Sequence, residues 1–141
     1  MGNMMSETMS EMMSATMYFT AWATLAVLGV YFWTWGNAAR ARIRHAVPAP
    51  SMDGPEGFLR AHRVHMNTLE QLPLVLPPLW LCAVFLGDRW AAAGGLLWCL
   101  GRILYALGYY RDPAKREIGF ILGMLACAML IGATVFGLLM R

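Results

Sequence analysis

The sequence predicts an all-α integral membrane protein built as a four-transmembrane-helix bundle. Three observations carry that prediction. The 141 residues are 59% hydrophobic and only 13% charged, whereas an ordinary soluble domain is about 45–50% apolar and about 25% charged. The chain holds four stretches long enough to cross a bilayer, which takes roughly 20 mostly apolar residues. The basic residues gather in two of the connections between those stretches, as the positive-inside rule demands.

The elements follow in order. Residues 1–16 are rich in Met, Ser and Thr and read as a flexible tail. Met4, Met5, Met9, Met12 and Met13 carry soft thioethers that suit copper(I), but a mobile segment, or a start at Met17 rather than Met1, explains them better, and no metal is expected. The membrane domain is then 17–141. Span one, about 17–37, contains no charge and is rich in aromatics from Tyr18 to Trp35. A secretory signal would place positive charge before the apolar run. Here Glu7 and Glu11 precede it, while Arg40, Arg42 and Arg44 follow, so span one is a retained helix.

Pro48, Pro50, Gly54 and Pro55 mark an irregular loop. Span two covers about 58–87, polar in its first third and free of charge from Gln71 to Gly87. Pro73, Pro77 and Pro78 lie inside it and should kink it. Span three, about 90–111, carries Arg102 in its interior and ends at Asp112-Pro113, because a proline disfavours helix at the preceding residue. Span four, about 117–140, is charge-free from Ile118 to Met140; its Gly119-x-x-x-Gly123 allows close helix contact without naming a partner. Trp33, Trp35, Trp90, Tyr109 and Tyr110 sit near span ends, where interfacial aromatics belong.

Charge sets the orientation. Loop one–two holds Arg40, Arg42, Arg44 and Arg60, loop three–four holds Arg111, Lys115 and Arg116, and in loop two–three Asp88 and Arg89 cancel. Both basic loops are therefore cytoplasmic and both termini outside. The net charge of +3 reflects this topology, and no nucleic-acid partner is expected. Cys82, Cys99 and Cys127 are far apart and apolar in context, with no CxxC pair, so a zinc ribbon or thioredoxin-like site is excluded by spacing.

Ionisable groups at membrane depth are functional candidates. The first set is Arg63, Asn67 and Glu70 in span two. At about 100° per residue these lie within about 60° of one another. Arg63 and Glu70 are two turns apart, about 10 Å, too far for a direct salt bridge, so a polar ligand or another helix belongs between them. The second set is Arg102, Tyr105 and Tyr109 on one face of span three, followed beyond the break by Arg116. Arginines suit carboxylates and Glu70 suits an ammonium, so the niche fits a small zwitterion with several carboxylates. No Ser/His/Asp order, HExxH motif or Gly-rich phosphate loop is present.

These residues carry a family resemblance. The stretches RAHRVHMNTLEQLP (60–73) and GRILYALGYYRDPAKR (101–116) resemble the MAPEG family, the membrane-associated proteins in eicosanoid and glutathione metabolism, and the likeness runs from Tyr18 to the C-terminus. It implies a homotrimer with glutathione between neighbouring subunits near the cytoplasmic face. It implies that Arg63, Asn67, Glu70, Arg102, Tyr105 and Tyr109 contact glutathione and that Arg116 stabilises its thiolate. A basic residue after span one, Arg42 first and Arg44 second, would reach the neighbouring subunit's site. The activity implied is a membrane-bound glutathione transferase with glutathione-dependent peroxidase action, its second substrate a hydrophobic electrophile or lipid hydroperoxide arriving from the membrane lipids. The alternative is a non-catalytic scaffold that binds a lipid or protein partner; the completeness of the residue set favours the enzyme. A proton-coupled exporter would carry its carboxylate in span one, which has none. Ten arginines against one lysine point to a GC-rich bacterial genome and a bacterial inner membrane.

Overall fold

The computed structural model describes the backbone of residues 2–140 and the side chains of 2–12 and 17–140. Met1, Arg141 and the side chain of Met13 lie outside the described residues. The chain is all-helical among the described residues: α1 (Gly2–Thr16), α2 (Tyr18–Arg44), α3 (Glu56–Phe85), α4 (Asp88–Arg111), a 3-10 turn (Pro113–Arg116) and α5 (Glu117–Leu139). The segment read as a tail is helix α1, and its described side chains, Gly2 to Met12, are all exposed. Helix α2 runs seven residues past the expected end of span one. Ala38-Ala39-Arg40-Ala41-Arg42 contains no breaker, and Ala and Arg are strong helix formers.

Helix α3 is continuous through Pro73, Pro77 and Pro78. Among the described residues three segments are long and apolar enough to cross a membrane: Glu56–Phe85, Asp88–Arg111 and Pro113–Leu139. Helix α2 has the length, 27 residues, but Thr, Trp, Tyr, Asn and three arginines dilute its apolarity.

Helix α4 packs against α2, α3 and α5, and α3 also touches α2 and α5. The core between them holds Val27, Val75, Leu79, Trp98, Ala126 and Leu130, all almost wholly buried. Neighbouring helices run antiparallel, so the long loop 45–55 and the turn 112–116 share one end of the bundle. At the other end the Asp88 carboxylate accepts the backbone N–H groups of Phe19 (2.9 Å) and Thr20 (2.7 Å). These are orphan donors in the first turn of α2, so a residue opening α4 caps a helix about 70 positions earlier.

Glycines set how closely α4 and α5 approach. A methyl group on Gly119 would lie 2.1 Å from the Tyr105 backbone nitrogen, and one on Gly101 2.6 Å from that of Gly123. The partner of the Gly119-x-x-x-Gly123 stripe is therefore α4 of the same chain.

Candidate functional site

Arg102 lies at the centre of the predicted set. Its residue is 0% exposed. Its Nη1 donates to Asn67 Oδ1 at 3.1 Å and its Nη2 to Thr68 Oγ1 at 2.9 Å. The guanidinium carbon stands 4.0 Å from the centroid of the Tyr105 ring, a cation–π contact in a dry setting. The Thr68 hydroxyl donates in turn to the Val64 carbonyl at 2.8 Å, which leaves its oxygen free to accept from the arginine.

Asn67 joins Arg102 to the exposed end of the set. Its amide oxygen faces the cation, and its Nδ2 donates to Glu70 Oε2 at 3.5 Å. That orientation is the one a cation on one side and a carboxylate on the other impose on an amide. Arg63 and Glu70 are exposed on the same face of α3, with no ion pair between them; among the described residues the ion pair present is Arg60–Glu56. Arg102 thus has no carboxylate partner among the described residues. Its Nε is also buried with nothing to bond. A buried cation lacking a counter-ion is expensive, and here it lies beside an amide, a hydroxyl and a phenol.

Tyr105 is nearly buried, and its ring centroid is 5.6 Å from that of Tyr109. Arg116 stands over the far ring, 5.5 Å from the Tyr109 centroid. Local sequence explains how an exposed arginine on a turn arrives there. Asp112 is extended, its carboxylate accepts the Ala114 N–H at 3.0 Å, and Pro113 opens the 3-10 turn with its φ already restricted. The turn then folds back onto Gly108, where a methyl group would lie 2.3 Å from the Lys115 carbonyl oxygen. Gly108 is what lets the turn, and with it Arg116, approach α4.

The structure therefore brings Asn67, Glu70, Arg102, Tyr105, Tyr109 and Arg116 into one chain of contacts, with Arg63 on the same face. Arg42 is not among them. Its Nη1 donates to the carbonyls of Ser51 (2.8 Å), Pro48 (3.3 Å) and Val47 (3.5 Å), and its guanidinium stacks 4.8 Å from the Phe58 ring centroid. It organises its own loop. Arg60 likewise serves the fold: it pairs with Glu56 and donates to the carbonyls of Tyr110 (3.4 Å) and Arg111 (2.9 Å) at the open end of α4.

Sequence reasoning missed three supporting residues. Thr68 is the hydroxyl on Arg102, and its signal was a polar residue at a core-facing position of a membrane helix. Gln71 is 4% exposed and accepts the Trp98 indole N–H at 3.1 Å, so it braces α3 against α4 one turn beyond Thr68. Gly108 was visible as a glycine inside span three. Among the described residues no group of three or more His, Cys, Asp or Glu is placed to hold a metal.

A helical bundle with membrane-length apolar segments and a buried arginine–amide–phenol cluster between α3 and α4 defines a small membrane protein. The MAPEG family matches the chain over residues 19–136, and the chain belongs to that family. It is 43% identical over 120 residues to an uncharacterised protein of Synechocystis, covering 85% of each chain. It is 32% identical over 110 residues to mouse microsomal glutathione S-transferase 2, covering 78% of this chain and 74% of the relative. It is 33% identical over 119 residues to leukotriene C4 synthase of Cavia porcellus, covering 83% and 79%.

Proposed function

We propose that the chain is a membrane-bound glutathione transferase that activates the glutathione thiol as a thiolate. The observation that carries this reading is Arg102, a fully buried arginine with two hydrogen-bonded supports, an unbonded Nε and no carboxylate partner. Such a site is short of one negative charge, and an anionic ligand supplies it. The two named relatives, a glutathione S-transferase and a leukotriene C4 synthase, support glutathione as that ligand.

The roles follow from chemistry. Arg63 takes one carboxylate through paired N–H donors, and Arg102, buried with its Nη atoms on Asn67 and Thr68, attracts the other by its charge. Glu70 faces the ammonium, and Asn67 relays between them. Tyr105 and Tyr109 present phenols, and Arg116 lies nearest the open end, where the thiol belongs. A thiol near pKa 8.5 is mostly protonated at neutral pH, and an adjacent cation favours the thiolate. Arginine does not accept the proton; water takes it, while Arg116 holds the anion. The thiolate then attacks an apolar electrophile delivered through the lipid, forming the C–S bond as the leaving group departs or the epoxide oxygen takes up a proton. A lipid hydroperoxide can meet the same thiolate.

In this reading the chain crosses the membrane four times, through α2 to α5, in a bacterial inner membrane with its basic loops cytoplasmic. It works as a homotrimer. One chain leaves Arg63 and Glu70 exposed, which suits closure of the site by a neighbouring subunit; Arg42, held in the single chain by the carbonyls of its own loop, would have to leave them to contribute the contact across that boundary. The test is the ultraviolet difference spectrum of purified protein on adding glutathione. A thiolate band at neutral pH that vanishes in Arg116→Ala is expected. A band of equal size in the variant removes Arg116 from this role, and its absence from folded wild type favours a non-catalytic scaffold.

A further inference from the structure

A second polar cavity lies outside the set just described. It is a cleft of about 530 Å³ at the same end of the bundle, between the last turns of α2, the first turn of α3 and the end of α4. Its α3 wall is Glu56, Gly57, Arg60 and Ala61; at about 100° per residue Gly57 and Ala61 lie roughly 120° around that helix from Arg63 and Asn67, while Glu56 and Arg60 lie near the same face one to two turns earlier. Arg40, Arg44 and Arg60 line it, against the single carboxylate of Glu56. Glu56 is already paired with Arg60, so the charge of Arg40 and Arg44 is left over. Both are exposed. Arg40 makes one neutral bond, to Asn37 Oδ1 at 3.2 Å, and Asn37 in turn donates to the Tyr110 hydroxyl at 3.2 Å. The floor of the cleft is therefore neutral and fixed, and its rim carries two uncompensated cations.

The cleft does not end there. A second, apolar cavity of about 310 Å³ is lined by Ala26, Gly29, Val30, Trp33 and Ile103. Trp33 lines both cavities. Positions 26, 29, 30, 33, 37, 40 and 44 form one stripe of α2 at i, i+3, i+4 spacing. From Ala26 to Asn37 the stripe rises about 16 Å, close to half of a hydrocarbon core about 30 Å thick. A basic head site thus adjoins an apolar groove at Trp33, the groove itself running about 10 Å from Ala26 to Trp33. Basic pockets between membrane helices are a recurrent site for anionic lipid head groups.

The geometry points to a binding site for an anionic amphiphile, its phosphate or carboxylate between Arg40 and Arg44 and its acyl chain along Gly29, Val30 and Ile103. The site is tested apart from the glutathione reading, because lipid binding is measured without glutathione and Arg40 has no part in that reading. Gly29 offers a clean probe of the groove: a Cβ there meets nothing within 4 Å, so a larger side chain fills the groove without disturbing the helix.

The experiment is native mass spectrometry of the full chain in a mild neutral detergent. It is titrated with palmitoyl-oleoyl phosphatidylglycerol, with phosphatidylcholine bearing the same chains, and with glycerol 3-phosphate. Phosphatidylglycerol should bind at least about tenfold more tightly than phosphatidylcholine, a difference of about 1.4 kcal/mol. Arg40→Gln with Arg44→Gln should abolish that preference, and Gly29→Leu should weaken both lipids. Equal binding of the two lipids by wild type overturns the proposal and needs no variant. Glycerol 3-phosphate binding as tightly as phosphatidylglycerol, with no effect of Gly29→Leu, overturns it in favour of a soluble anion.

Discussion

Replacing Arg102 by methionine separates a ligand site from a structural one. Methionine keeps the unbranched stem out to about the position of Nε and removes the guanidinium, with its charge and its contact with the Tyr105 ring. Two charge-assisted hydrogen bonds disappear, to Asn67 at 3.1 Å and Thr68 at 2.9 Å, each contributing about 1.5–3 kcal/mol. Against that loss stands the desolvation penalty of a fully buried guanidinium with no counter-ion, which is several kcal/mol. Thr68 keeps its bond to Val64, and Asn67 is half-buried, so water reaches its freed oxygen. The terms nearly cancel, and the thermal midpoint without glutathione should move by less than about 5 °C. Ligand binding has no such cancellation. Removing one partner from a buried charge pair costs about 2–5 kcal/mol, so affinity for glutathione should fall at least about 30-fold. Calorimetric titration and thermal unfolding in detergent, each with and without glutathione, read the two quantities. A large fall in the midpoint with unchanged affinity would refute the reasoning and make Arg102 a structural cross-brace between α3 and α4.

Three further outcomes follow from other contacts. Glu70→Gln should weaken glutathione about two- to fivefold, as expected for loss of an exposed ion pair with an ammonium; unchanged affinity would show that Glu70 faces something else. Gly108→Ala places a methyl group against the Lys115 carbonyl and pushes the turn carrying Arg116 off α4. Turnover should fall by at least about tenfold while helix content by circular dichroism stays constant, and full turnover would mean that Arg116 need not approach Tyr109. Asp88→Ala leaves the Phe19 and Thr20 N–H groups without their carboxylate. A stability loss of about 1–2 kcal/mol should appear in thermal unfolding without a change in glutathione affinity.

Much of the architecture was legible because it is local. Helix periodicity follows from 3.6 residues per turn, so Arg63, Asn67 and Glu70 were placed on one face of α3, and Arg102, Tyr105 and Tyr109 on one face of α4, before any coordinate was known. Asp112-Pro113 announced the break that separates α4 from α5. Apolar length identified three helices able to cross a membrane, α3 to α5, and the segments around Asn67 and Tyr105 carried the family. The sequence by itself thus determined which residues share a face and which family the chain belongs to.

Partner choice belonged to the tertiary structure. Arg102 bonds to Asn67 and to Thr68, a residue no periodicity argument singled out. Asp88, which seemed only to cancel Arg89, caps a helix that begins at Tyr18. Arg42, a cation awaiting an anion, is taken up by three carbonyls of its own loop, while Arg40 and Arg44 face the other cleft. The physical reason is the same each time. Spacing along one helix is set by backbone hydrogen bonds within it, whereas contact between helices depends on how closely and at what height they cross. Here that approach is set by backbone meeting backbone at Gly101, Gly119 and Gly123, and only the folded chain shows which side chains come opposite one another.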